Sequence, residues 1–70
     1  MKYVIIIQRT ETGCSAYAPD LPGCTATGDS VEDVRRTMHE AVAVHIAGLR
    51  EEGLTVPGPE SVVAYVDVAA

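Results

Sequence analysis

Pro19-Asp20-Leu21-Pro22-Gly23-Cys24-Thr25, with Gly28-Asp29-Ser30-Val31-Glu32-Asp33 close behind, packs a rigid corner, a short strand and a helix start into one run. Pro19 and Pro22 fix φ and remove two backbone donors, so no regular strand or helix continues through the corner. Gly23 stands where such a turn ends in positive φ. Ser30 is placed to cap a helix with its hydroxyl, and Asp33, three residues on, approximates the capping box. The spacing predicts a helix from about Val31.

The stretch from Tyr3 to Gln8 is β-branched and almost wholly apolar. It reads as a strand buried on both faces and central in its sheet. Glu11-Thr12-Gly13 supplies a turn with Gly13 at the position expected to need positive φ. A second strand follows from Cys14 to Ala18 and a third from Cys24 to Thr27, which together make an antiparallel meander. Val31, Val34, Met38, Ala41, Val42, Ile46 and Leu49 then recur at spacings of three and four, one apolar stripe of a helix reaching about Glu51. Glu32 with Arg36, and Arg36 with Glu40, are i,i+4 pairs expected on its solvated side. Gly53 is placed to stop it. Val56-Pro57-Gly58-Pro59 is a rigid connection, and Ser61 to Val68 is expected to return to the sheet as a last strand. The layout is β-β-β-α-β, an α+β fold in one domain over residues 1–70.

Seventy residues bury only about 60% of the surface the unfolded chain exposes. With three Tyr and neither Phe nor Trp, the core must be aliphatic, so a homo-oligomer, dimer or tetramer, is the expected way to bury more. Ten acids against five bases leave a net charge of −5. That balance disfavours direct nucleic-acid binding, which requires Lys and Arg against phosphates, and suits a basic partner. Modest acidity also simply keeps a small protein in solution. The run Val4-Ile5-Ile6-Ile7 is too short for a secretory or membrane-spanning segment, so a cytoplasmic location without membrane contact is expected.

The same residues resemble those of the HicB-like antitoxins. Tyr17-Ala18, Pro19 through Cys24, and Gly28 through Asp33 carry the likeness, with one residue fewer between tyrosine and proline than the family pattern has. Glu40-Ala41 in mid-helix, Gly53, and the paired prolines Pro57 and Pro59 add to it. The resemblance implies a partial RNase H-like fold. It also implies an antitoxin that neutralises a small basic, mRNA-cleaving toxin of the HicA type by direct contact. Many such antitoxins continue into a DNA-binding module, whereas this sequence reaches Ala70 without one, so DNA binding by this chain is not expected.

Asp20 is an acid in a prominent turn, but two-metal chemistry needs several convergent carboxylates. It is read as a turn or partner-contact residue. Asp29, Glu32 and Asp33 complement the helix dipole. His45 lies in the apolar stripe and is read as a packed, hydrogen-bonded side chain or a pH-sensitive subunit contact. His39 projects from the polar side, so the two histidines form no metal pair.

Cys14 and Cys24 are read as small buried hydrophobes. If Ala18 lies opposite Cys24, Cys14 is about 14 Å further along, beyond disulfide reach. No catalytic residue, cofactor or metal is expected. Asp20, Leu21, Glu32 and Asp33 are the expected partner contacts, and Tyr17, Pro19, Pro22, Gly23, Cys24, Gly28, Ser30 and Pro57 the structural motif. The alternative is a homo-oligomeric regulatory or structural domain with no toxin.

Overall fold

Strand alternation decides which side of each strand the core claims, and here it claims a row of small side chains. The computed structural model describes all residues from Met1 to Ala70. It contains β1 (Ile6–Arg9), β2 (Cys14–Tyr17), β3 (Thr25–Gly28) and α1 (Val31–Glu51). The strands form one antiparallel sheet in the order β1-β2-β3. Ile7 lies opposite Ala16, and Ala16 opposite Ala26. All three belong to the side of the sheet that packs into the core. Alanines there leave room for a helix to come close to the backbone.

At the end of the sheet nearest the start of α1, Cys14 lies opposite Gly28. The β1–β2 turn is closed by the Thr10 N–H donating to the Gly13 carbonyl at 2.8 Å. Gly13 does not have the positive φ expected of it; only Gly23 (+84°) and Gly53 (+70°) do. It is required for space instead. A Cβ on Gly13 would stand 2.4 Å from the Gly28 carbonyl oxygen, and one on Gly28 would stand 2.9 Å from the Val34 amide nitrogen. Two glycines thus let turn, strand and helix stack without side chains between them.

The helix forms as the sequence indicates. Ser30 is extended at φ −143° and its Oγ accepts from the Asp33 N–H at 3.1 Å, which satisfies one of the free donors of the first turn. At the other end Gly53 donates to the Arg50 carbonyl and Leu54 to the Leu49 carbonyl, the paired bonds of a Schellman stop. Val34 and Met38 are fully buried, whereas Ala41, Val42 and Ile46 are only half-buried at the core's margin. The cause is length. Twenty-one helical residues span about 31 Å, while four-residue strands span about 13 Å, so the second half of α1 overhangs the sheet.

Two expectations need correction. β1 is an edge strand and not the central one, because no fourth strand joins the sheet beside it. Ser61 to Val68 forms no strand in the chain. From Val62 onward its side chains are exposed, Val62 at 88% and Tyr65 at 93%.

Substitution at the glycines tests the close stacking. Gly13→Ala should lower stability by about 1–3 kcal/mol through overpacking against the backbone. Gly48→Ala, mid-helix with open space around the added methyl, should raise it by about 0.5–1 kcal/mol. Urea midpoints at unchanged m-value check both.

Candidate partner-binding surface

The corner after β2 is held by its own backbone. The Ala18 N–H donates to the Cys24 carbonyl, Leu21 N–H to the Ala18 carbonyl, and Cys24 N–H to the Leu21 carbonyl, each at 3.1 Å. Gly23 supplies the positive φ that brings the chain round to β3. Ala18, Leu21 and Cys24 thereby all face inward, with Leu21 at 0% exposure. Pro19, Pro22 and Gly23 remain on the outside. Leu21, expected as a partner contact, offers no surface of its own and acts on the corner from within.

Asp20 points the other way. Its Oδ2 accepts from the backbone N–H groups of Glu60 (3.1 Å) and Ser61 (3.0 Å), and its Oδ1 accepts from the Ser61 hydroxyl at 2.8 Å. These bonds favour the ionised form: the Ser61 amide and then its hydroxyl, with a lesser contribution from the Glu60 amide, hold the carboxyl below the usual carboxylate value against the opposing effect of desolvation. The Tyr3 hydroxyl donates to the Pro57 carbonyl on the same segment. The chain after α1 is therefore strapped across the corner by Tyr3 and Asp20, and Pro57 lies under the first of these ties. Sequence reasoning placed Asp20 in the turn but missed its acceptor role; Ser61, forty-one positions away, gave no local signal.

Glu32 and Asp33 lie in the first turn of α1, remote from Asp20 in sequence and held by a different element. Arg36 pairs with Asp33 at 3.3 Å, rather than with Glu32 or Glu40. Both side chains remain open to solvent, 69% for Arg36 and 45% for Asp33, so the pair contributes little to stability. Asp29, Ser30 and Glu32 border the same concavity as Thr10 and Thr12 of the β1–β2 turn, where Arg9 at the end of β1 is the one base against the two acids. The result is an acidic, hydroxyl-rich end of the molecule, with no large hydrophobic side chain except Val31.

A second concavity, of about 550 Å³, has the opposite character. It opens beside the overhanging half of α1, between Met38, Val42 and Ile46 and the chain start at Tyr3 and Ile5. Lys2, Arg35 and Arg50 stand around it. His39 also borders it rather than a plain polar face. His45 is half-buried, and its ring has no hydrogen-bond partner within the chain, contrary to the expectation of a bonded core histidine.

Cys14 and Cys24 are free and buried. Desolvation pushes the Cys24 thiol up, which keeps it protonated and unreactive at neutral pH. No three His, Cys, Asp or Glu side chains converge to hold a metal. No helix is long and apolar enough to cross a membrane.

Comparison with known proteins adds the following. The sequence profile of a family described as HicB-like antitoxin of bacterial toxin–antitoxin system matches residues 3–69. An uncharacterised 14.9 kDa protein from the rep–hol intergenic region of Haemophilus phage HP1 is 30% identical over 67 residues. That match covers 96% of this chain and 50% of the phage protein, so the chain spans about half that relative's length. A UPF0150 protein of Helicobacter pylori is 31% identical over 65 residues, covering 91% of this chain and 90% of the relative. Among solved structures, a chain of a HicA3 and HicB3 toxin–antitoxin complex superposes with a TM-score of 0.73 at 38% identity, covering 84% of this chain and 70% of that one. The α+β arrangement read from the sequence is that of a HicB-type fold.

The Asp20 clamp has a pH signature. Because its native pKa is depressed, its contribution is complete above the ordinary value of 3.8 and is lost as pH falls through the native value. The protection factors of the Glu60 and Ser61 amides, exchange rates by NMR referred to the intrinsic rate at each pH, should therefore fall as pH drops through the native value. Asp20→Ala should accelerate their exchange about tenfold or more at neutral pH, without change in the exchange of α1.

Proposed function

This chain belongs to the HicB-like antitoxin family, and on that premise we propose that it neutralises a small basic, mRNA-cleaving toxin of the HicA type by direct protein–protein contact. The observation that carries the reading is the likeness, at 38% identity and TM-score 0.73, to a chain from a solved HicA3–HicB3 toxin–antitoxin complex. The net charge of −5 and the acidic end at the start of α1 fit a basic partner, since complementary charge speeds encounter and fixes orientation. The role is that of a binding module in the cytoplasm, without catalysis of its own.

The contact surface is proposed to include Asp20, Glu32 and Asp33. Glu32 is exposed and Asp33 half-buried on the first turn of α1, where a cationic partner meets the acids directly. Asp20 contributes by keeping the strapped corner in shape, and Leu21 does the same from inside. Occlusion of the toxin's catalytic surface by this face would stop RNA cleavage without any chemistry in the antitoxin.

Co-expression provides the test. The chain should relieve the growth arrest caused by the small basic toxin that co-purifies with it. The paired substitution Glu32→Lys and Asp33→Lys should slow association by about tenfold at low salt, with the difference shrinking as salt is raised. Unchanged association kinetics would place the toxin on another face.

A further inference from the structure

The segment from Val62 to Val68 has the composition of a strand but no strand to pair with. Period-two alternation puts Val62, Ala64, Val66 and Val68 on one side and Val63, Tyr65 and Asp67 on the other. In the chain as it stands this segment is exposed, with Tyr65 at 93% and Val66 at 85%. The molecule's longest extent, 48 Å, exceeds the roughly 31 Å of its helix, consistent with a segment that projects. β1, meanwhile, is an edge strand whose outer backbone groups are unpaired, and apolar edges of this kind are templates for another chain.

We propose that residues 62–68 form a strand exchanged between two copies of this chain, each lying along β1 of the other copy and over the groove beside α1. Three observations select a second copy as the occupant. The groove offers apolar side chains, Met38, Val42, Ile46 and Ile5, to match the valine face of the strand. Its rim carries Lys2, Arg35 and Arg50, three of the five bases in the chain, whereas the sequence from Glu51 to Ala70 has no base and includes Glu60 and Asp67. The length also suffices, since seven extended residues span about 23 Å against about 13 Å for β1 and so reach beyond it along Tyr3 to Ile5.

The clamp explains why the strand leaves its own body. Ser61 is bound at both its amide and its hydroxyl by Asp20, Pro57 and Pro59 stiffen the approach, and no Gly, Pro or Asn follows Ser61 with which to reverse direction. A strand launched outward from a rigid anchor meets a neighbour's edge more readily than its own. Exchange between two copies is reciprocal and closes with two-fold symmetry, so it uses up both edges and makes no filament. β3, at the other edge, is short and built of Thr, Ala and Gly, and has no such groove. The exchange is independent of any toxin bound elsewhere.

The test uses the full chain. Light scattering after size exclusion should give twice the 7.4 kDa of one chain. In dimers mixed from isotope-labelled and unlabelled protein, filtered NOEs should connect the methyls of Val62 and Val66 to those of Ile5 and Val42 between copies. Val66→Lys, which touches nothing in the single chain's core, should give a monomer with unchanged helical circular dichroism, while Thr25→Lys on β3 should leave the dimer intact. A monomeric wild type, a dimer that survives Val66→Lys, or NOEs from the segment found only within one copy would overturn the proposal.

Discussion

The corner from Pro19 to Cys24 is the constraint on which the rest depends, because it works in two directions at once. Inward, it delivers Ala18, Leu21 and Cys24 to the core, three of its seven buried residues. Outward, it presents the Asp20 carboxylate to Glu60 and Ser61 and so decides where the chain goes after the helix. A flexible loop of the same length could do either, but holding both requires the two prolines and the left-handed Gly23. The corner also sets the register of β3 against β2, and through Gly28 the distance at which Val34 seats the helix.

A long helix on a short sheet leaves an unfinished molecule. The first half of α1 closes over alanines and glycines, where Val34 and Met38 are completely covered. The second half has nothing beneath it except the chain start, and Val42 and Ile46 remain half-exposed over a groove. Small domains with aliphatic cores have little stability to spare, so an uncovered helix face and an unpaired apolar strand edge side by side favour completion by another chain. The acidic end at the start of α1 lies apart from that groove, which leaves the two surfaces free to serve different partners.

Much of the fold was legible because its signals are local. Ser30 and Asp33 announced the helix start, Gly53 its end, and the stripe from Val31 to Leu49 its inner face; each depends on residues within one or two turns of one another. Gly23 was likewise decided by its own φ. What could not be read depended on distant positions. Gly13 looked like a turn glycine, but its requirement comes from the Gly28 carbonyl across the sheet. Asp20 looked like a surface acid, and its partners are forty residues away. The strand expected from Ser61 to Val68 has the right composition, yet composition specifies a strand without naming the edge it joins. Of the expected contacts, Leu21 is hidden and Asp20 occupied, whereas Glu32 and Asp33 keep solvent-facing positions.

On the function proposed above, the corner is the fixed point of a scaffold that would recognise by shape and charge, and the acidic helix start is where a basic protein would approach. The most direct measurement is RNA cleavage by the toxin purified with this chain, titrated with increasing amounts of the chain itself. Stoichiometric inhibition, complete at one binding site per toxin, is the result the account predicts. Cleavage that continues unchanged with the chain in excess would contradict it, and would leave the assembly of the chain with itself as its function.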